Sequence, residues 1–131
     1  MNLVTPNWKP RSRRVDPEAR ERFRAEHPRC CLARPGINDC HYATGYVEVH
    51  HMDEKGDGGG DDVPENYLAL CTAHHSGFAG TKGWHTFGDP MDFVRHYEGR
   101  LTLADQFRIT MLVTLTRAER ETIRQLWRSA A

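Results

Sequence analysis

The 131-residue chain has no apolar run approaching the ~18 residues of a membrane-spanning helix. Residues 1–14 contain no apolar stretch of the signal-peptide kind, so the expected compartment is cytoplasmic. Internal repeats are absent. The run Gly58-Gly59-Gly60 is not followed by Gly-Lys-Ser/Thr, which argues against a phosphate-cradling loop and for a flexible connection. Export-type disulfides are not indicated, because there are four cysteines and Cys30 and Cys31 are adjacent, which makes two disulfides awkward. Net charge is also missing, because 18 basic residues balance 18 acidic ones. What remains is 38% hydrophobic residues and 9% aromatics, enough for one modest core and too many for a low-complexity disordered chain.

The zero net charge hides a pattern. Residues 1–29 carry eight Lys or Arg against four Asp or Glu, and residues 100–131 carry six against three. Residues 30–66 carry two against eight. Basic ends flank an acidic middle. One reading is a set of solvated helix faces. The other is basic arms, Arg11, Arg13 and Arg14 among them, that hold phosphate around a cation-binding acidic centre.

Eight histidines are the main surplus, and a small domain with a thin core often needs a metal staple. His50-His51 and His74-His75 form two doublets, and Cys71-x-x-His74 has metal-ligand spacing. The surrounding elements can be read from local signals. Asp16-Pro17-Glu18 opens a helix that runs to about His27 and stops at Pro28. Residues 30–44 read as a loop, residues 46–50 as a strand, and residues 68–70 as a second short strand. Thr72 is the expected cap of a short helix carrying His74 and His75, which Gly77, Gly80 and Gly83 keep short. Asp89-Pro90 starts another helix, to about Tyr97. Leu103, Phe107, Met111 and Leu115 recur at helical spacing and are assigned to the core, as are Trp84 and Phe87. Thr116 and Glu119 form a capping box for a last helix whose apolar side is Ile123, Leu126 and Trp127.

Three of these residues share a longer spacing. Fourteen residues separate His51 from Asn66, and eight separate Asn66 from His75. His51 ends a strand, Asn66 sits in a loop before the next, and His75 lies on the helix after it. Together with residues 47–51 and 65–75, and with Cys71 four residues before His75, this pattern resembles the HNH endonuclease family, in particular small phage recombination-associated members. The resemblance covers about residues 30–87, under half the chain. It implies an α+β fold, with a small ββα-metal, treble-clef-like centre and a structural zinc, flanked by N- and C-terminal helices. Residues 1–131 would form one domain: a basic arm and helix (1–29), the metal-binding core (30–88) and C-terminal helices (89–131).

The resemblance also implies roles. Phosphodiester hydrolysis needs an activated water and positive charge against the phosphate. His51 is the expected general base. His50 and His75 are expected ligands of a catalytic divalent metal (Mg, Mn, Ni or Zn). Adjacent strand residues point to opposite faces, so His50 and His51 divide these tasks. Asn66 is expected to orient the loop or the His51 ring. Nuclease-toxin members carry a further His where this chain has Ala79, so His85 is the candidate third ligand, with Asp53 as an alternative. Gly83 and Phe87 correspond to a Gly and a Phe of phage members, and Glu48 to a supporting acidic position. The structural zinc is assigned to Cys31, Cys40, Cys71 and His74, with Cys30 as the alternative to Cys31 and His41 as the alternative to Cys40. Cys31 is favoured because Leu32 matches a Cys-Leu start. The implied partner is DNA, with a protein partner or inhibitor as a further option and no membrane. A noncatalytic zinc-binding interaction module of the same fold is the alternative function; it needs only the zinc set.

Basic arms that hold DNA predict an affinity that falls steeply between about 50 and 200 mM salt. Fluorescence anisotropy of a labelled duplex measures this, and a flat response removes the arms from DNA binding.

Overall fold

The computed structural model describes residues 15–53 and 60–130. Arg11, Arg13, Arg14, Gly58 and Gly59 lie outside the described residues, as does the side chain of Trp127. The fold is mixed α and β: helix α1 (Pro17–Glu26), strands β1 (Glu48–His51) and β2 (Tyr67–Leu70), and helices α2 (Thr72–Ser76), α3 (Pro90–Tyr97), α4 (Leu103–Thr114) and α5 (Arg117–Ala130). No helix among the described residues is long and apolar enough to cross a membrane.

The two strands pair antiparallel, with Glu48 opposite Leu70, His50 opposite Leu68 and His51 opposite Tyr67. Every residue of β2 is buried, so this small sheet is covered on both faces. Strand alternation sorts the core into two clusters. Val47, Tyr67 and Ala69 face α1, which presents Ala19 and Phe23 to them. Leu68, Leu70 and Met52 face the other way, toward Cys30, Leu32, Trp84, Phe93 and Ile109. Helix α1 starts where Asp16 accepts a hydrogen bond from the Ala19 N–H at 3.1 Å, with Pro17 at the first helical position.

Residues 30–44 contain no helix or strand, and three polar anchors fix their path. The Cys31 N–H donates to the Ala69 carbonyl at 2.8 Å. The Cys30 N–H donates to the Tyr42 hydroxyl at 3.0 Å. Arg100, at the end of α3, donates two bonds to the Asp39 carboxylate at 2.7 and 2.9 Å and one from Nε to the Leu32 carbonyl at 3.0 Å. The C-terminal helices hold the other side of the sheet in the same way. Arg108 donates to the Tyr67 carbonyl at 2.9 Å, and Arg120 pairs with Asp53 at 2.5 Å.

Two expectations are corrected. The cap of α2 is Cys71 and not Thr72, because the chain is still extended at Cys71 and its thiol accepts from the His74 N–H at 3.4 Å. Thr72 is already helical, and its hydroxyl donates to Glu48. The core-facing stripe of α4 also differs. Ile109 is fully buried, whereas Leu103 is 82% exposed and Phe107 is exposed. Helix α4 meets the core along the Ile109 and Leu112 stripe, with Met111 and Leu115 half-buried beside it. The capping box of α5 forms as expected: the Thr116 N–H donates to Glu119 at 2.8 Å, and the Glu119 N–H donates to Thr116 Oγ1 at 3.2 Å.

Ile109→Ala is expected to cost about 2–5 kcal/mol through lost burial and a cavity. Leu103→Ala is expected to change stability by at most about 0.5 kcal/mol. Urea unfolding of both variants checks the assignment of the packed face.

Candidate metal centres and the adjoining histidine

The first centre sits at the joint between β2 and α2. Cys71 ends the strand and caps the helix, so the turn of α2 brings His74 back over it, with Nδ1 3.2 Å from the Cys71 sulfur. The same Nδ1 lies 3.5 Å from the Cys30 sulfur and 3.6 Å from the Cys40 sulfur. Tetrahedral bonds of about 2.0–2.3 Å to one ion place sulfur and nitrogen donors about 3.5 Å apart, so the set fits a zinc-sized ion. His74 is fully buried, and its Nε2 meets Asp39 at 3.2 Å, which leaves Nδ1 as the nitrogen turned to the thiols. The Arg100 guanidinium holds the Asp39 carboxyl down at about 2.

Cys30, and not Cys31, completes this set of four. The chain turns at Cys31 and Leu32, with the Ala33 N–H bonded to the Cys30 carbonyl at 2.9 Å; Cys30 is buried in the set, and Cys31 is half-buried outside it. Burial pushes the Cys40 thiol up to about 12. The Cys71 thiol, hydrogen-bonded to Cys30, stands at about 11. Metal-free thiols here stay protonated at neutral pH, so an arriving ion must displace their protons and binds more tightly as pH rises. His41, the alternative to Cys40, instead stacks on Phe78 with ring centroids 4.5 Å apart.

The second centre lies on the α2 side of β1. His75 Nε2 is 3.0 Å from His50 Nδ1 and 3.2 Å from His85 Nε2. Three imidazole nitrogens on one ion at about 2.0–2.1 Å stand about 3.3 Å apart, so this group also fits a divalent metal. Glu48 faces His75 Nδ1 at 2.7 Å, which puts the ring proton there and leaves the Nε2 lone pair aimed at the other two rings. Burial would raise the Glu48 carboxyl, but the bonds from His75 and Thr72 bring it below its usual range. His50 is 1% exposed, and burial holds its imidazole down to about 3, so it is the neutral ring a metal requires. His85 is exposed, and the centre opens to solvent on its side. The glycines explain how His85 returns to His75. Gly77 ends α2 at φ +88°, and a Cβ at Gly83 would lie 2.8 Å from the His75 carbonyl.

His51, next along β1, turns to the opposite face. Its Nε2 meets Asp62 at 2.7 Å, and its ring packs edge-on to Tyr67. Asn66 makes no hydrogen bond to His51 among the described residues. Its side chain accepts from the Asp53 N–H at 2.7 Å and donates to the carbonyls of Asp53 at 3.2 Å and Asp61 at 3.1 Å. Asn66 thus ties Asp53 to Asp61. Asp53 belongs to neither metal group and pairs with Arg120. Three residues were missed from sequence: Asp39, Asp62 and Arg100. No spacing marks them, although Asp39 directly precedes a metal-type cysteine. No family model matches the chain, and no curated protein or solved structure matches it.

Cys30→Ser is expected to lose the bound zinc of the first centre, and Cys31→Ser to keep it. Metal analysis after dialysis decides this, with loss only from Cys31→Ser as the contrary result.

Proposed function

We propose that this chain is a metal-dependent HNH-type endonuclease that hydrolyses phosphodiester bonds in DNA, built on a ββα-metal centre formed by β1, β2 and α2. The carrying observation is the convergence of His50 Nδ1, His75 Nε2 and His85 Nε2 beside a separately held His51. A zinc-binding module has no use for a second, solvent-open group of three histidines.

In this reading His51 is the general base and takes the proton of the attacking water. His50, His75 and His85 hold a divalent cation, which when bound sets positive charge against the phosphate and the leaving oxygen. Glu48 fixes the ring of His75, and Asn66 fixes the loop after His51. The Cys30, Cys40, Cys71 and His74 group holds a structural zinc that fixes α2, and with it His75, against the sheet. The basic segments 1–29 and 100–131 supply sequence-independent contact with the DNA backbone.

Plasmid cleavage tests the proposal. Chelator-treated protein is given Mg, Mn or Ni, and zinc content is measured in parallel. Wild type is expected to nick or cut, and His51→Ala to lose about 10²-fold or more while keeping its zinc. A folded, zinc-loaded wild type that fails to cleave with any of the three metals assigns the chain instead to zinc-binding interaction modules.

A further inference from the structure

His51 has a partner that the metal-site argument does not use. Asp62 lies in the connection between β1 and β2, with its side chain only 5% exposed. Its Oδ1 faces His51 Nε2 at 2.7 Å and accepts from the Tyr67 hydroxyl at 3.1 Å. Its Oδ2 accepts from the Asp16 N–H at 2.7 Å, and Arg20 Nε stands 3.3 Å from Oδ1. Tyr67 is fully buried, so its hydroxyl has a fixed place, and Asp16 and Arg20 approach from α1. Burial alone would raise the Asp62 carboxyl, but the bonds from Asp16, His51 and Tyr67 and the Arg20 charge bring it below its usual range.

An ionised carboxylate only accepts hydrogen bonds. The ring nitrogen that faces Asp62 must therefore carry a hydrogen. A neutral imidazole has one N–H, so the other nitrogen of His51, Nδ1, keeps its lone pair. Among the described residues Nδ1 makes no hydrogen bond, and the His51 side chain is 20% exposed, so that lone pair is open to solvent. We propose that Asp62 is a positioning residue that locks His51 in its Nε2–H form and makes Nδ1 the basic nitrogen. This rests on the reading of His51 as the general base.

The proton balance is simple. Nδ1 takes a proton from water, forming an N–H bond as the O–H bond breaks; the hydroxide electron pair forms the new P–O bond as the P–O bond to the leaving sugar oxygen breaks, and that oxygen takes a proton from solvent. Asp62 keeps its charge and stabilises the imidazolium, the division of labour found in His–Asp pairs of hydrolases. Asp62→Asn puts an amide where two oxygens now accept. With its NH2 toward His51, the ring turns to the Nδ1–H form and loses its base; with its NH2 toward Asp16, two donors collide at the α1 cap.

The test uses the full chain, zinc-loaded, as wild type, Asp62→Asn and Asp62→Ala. Long-range proton–nitrogen correlation spectra report which ring nitrogen of His51 carries the proton, with the signals identified by their absence from His51→Ala. Wild type is expected to show Nε2–H with an unprotonated Nδ1, and both Asp62 variants to lose that pattern. Cleavage kinetics are expected to show kcat down about 10²-fold or more with KM within about twofold. Zinc content and thermal melting check that the variants fold. A wild-type His51 in the Nδ1–H form overturns the inference, even if no variant folds. Folded variants with wild-type kcat and an unchanged tautomer overturn it too. If wild type does not cleave, the nuclease reading fails by itself. The spectra still decide the positioning: loss of Nε2–H in the variants upholds it, and retention overturns it.

Discussion

The contact between Cys71 and His74 is the joint on which the rest of this domain is hung. One residue ends β2, the other lies in the first turn of α2, and their side chains meet two further cysteines from a stretch with no helix or strand. Such a stretch has few backbone bonds of its own to fix it, and loops this long in compact domains normally need a reason for their order. Here the reasons are the four-donor group, the buried Leu32 and the clamp of Arg100 on Asp39. Without an ion, the domain holds three protonated thiols around one imidazole; with one, their convergence would become a cross-link between residues 31 to 44 apart in sequence.

The second constraint is the alternation of β1. Glu48 and His50 face α2, and Val49 and His51 face α1. Neighbouring histidines therefore meet different surroundings within one residue. His50 is buried against Trp84, where a charge is costly. His51 meets a carboxylate held from outside the sheet by α1. Helix α1 is thus more than cover for Tyr67 and Ala69. Through Asp16 and Arg20 it also fixes the carboxylate that holds the His51 ring.

How far the sequence was legible follows from what each signal depends on. Helix starts at Asp16, Asp89 and Thr116 were legible because a cap is a local event within four residues. The convergence of His50, His75 and His85 was also anticipated, although the return of His85 depends on the close approach that Gly83 allows. The choice between Cys30 and Cys31 was not, because the two are adjacent in a turn whose path is fixed by tertiary contacts. The packed face of α4 was misassigned because Ile109 and Leu112 define a helical stripe as regular as that of Leu103 and Phe107. Only tertiary contact chooses between them. Asp62 was invisible because it is one acid among several in an acidic segment.

Three described acids of that segment orient histidines. Among the described residues, the metal-type groups consist of cysteine and histidine, and no carboxylate belongs to either. Three acids instead face one histidine each: Asp39 at His74 Nε2, Glu48 at His75 Nδ1 and Asp62 at His51 Nε2. Each contact assigns the proton to one ring nitrogen and directs the opposite lone pair. For His74 and His75 that lone pair points into a metal-type group, and for His51 it points to solvent. The two groups then differ in closure. Four donors with a buried histidine leave no place for a further ligand, the property of a structural site. Three donors with an exposed His85 would leave a tetrahedral ion one further position, the property of an open site.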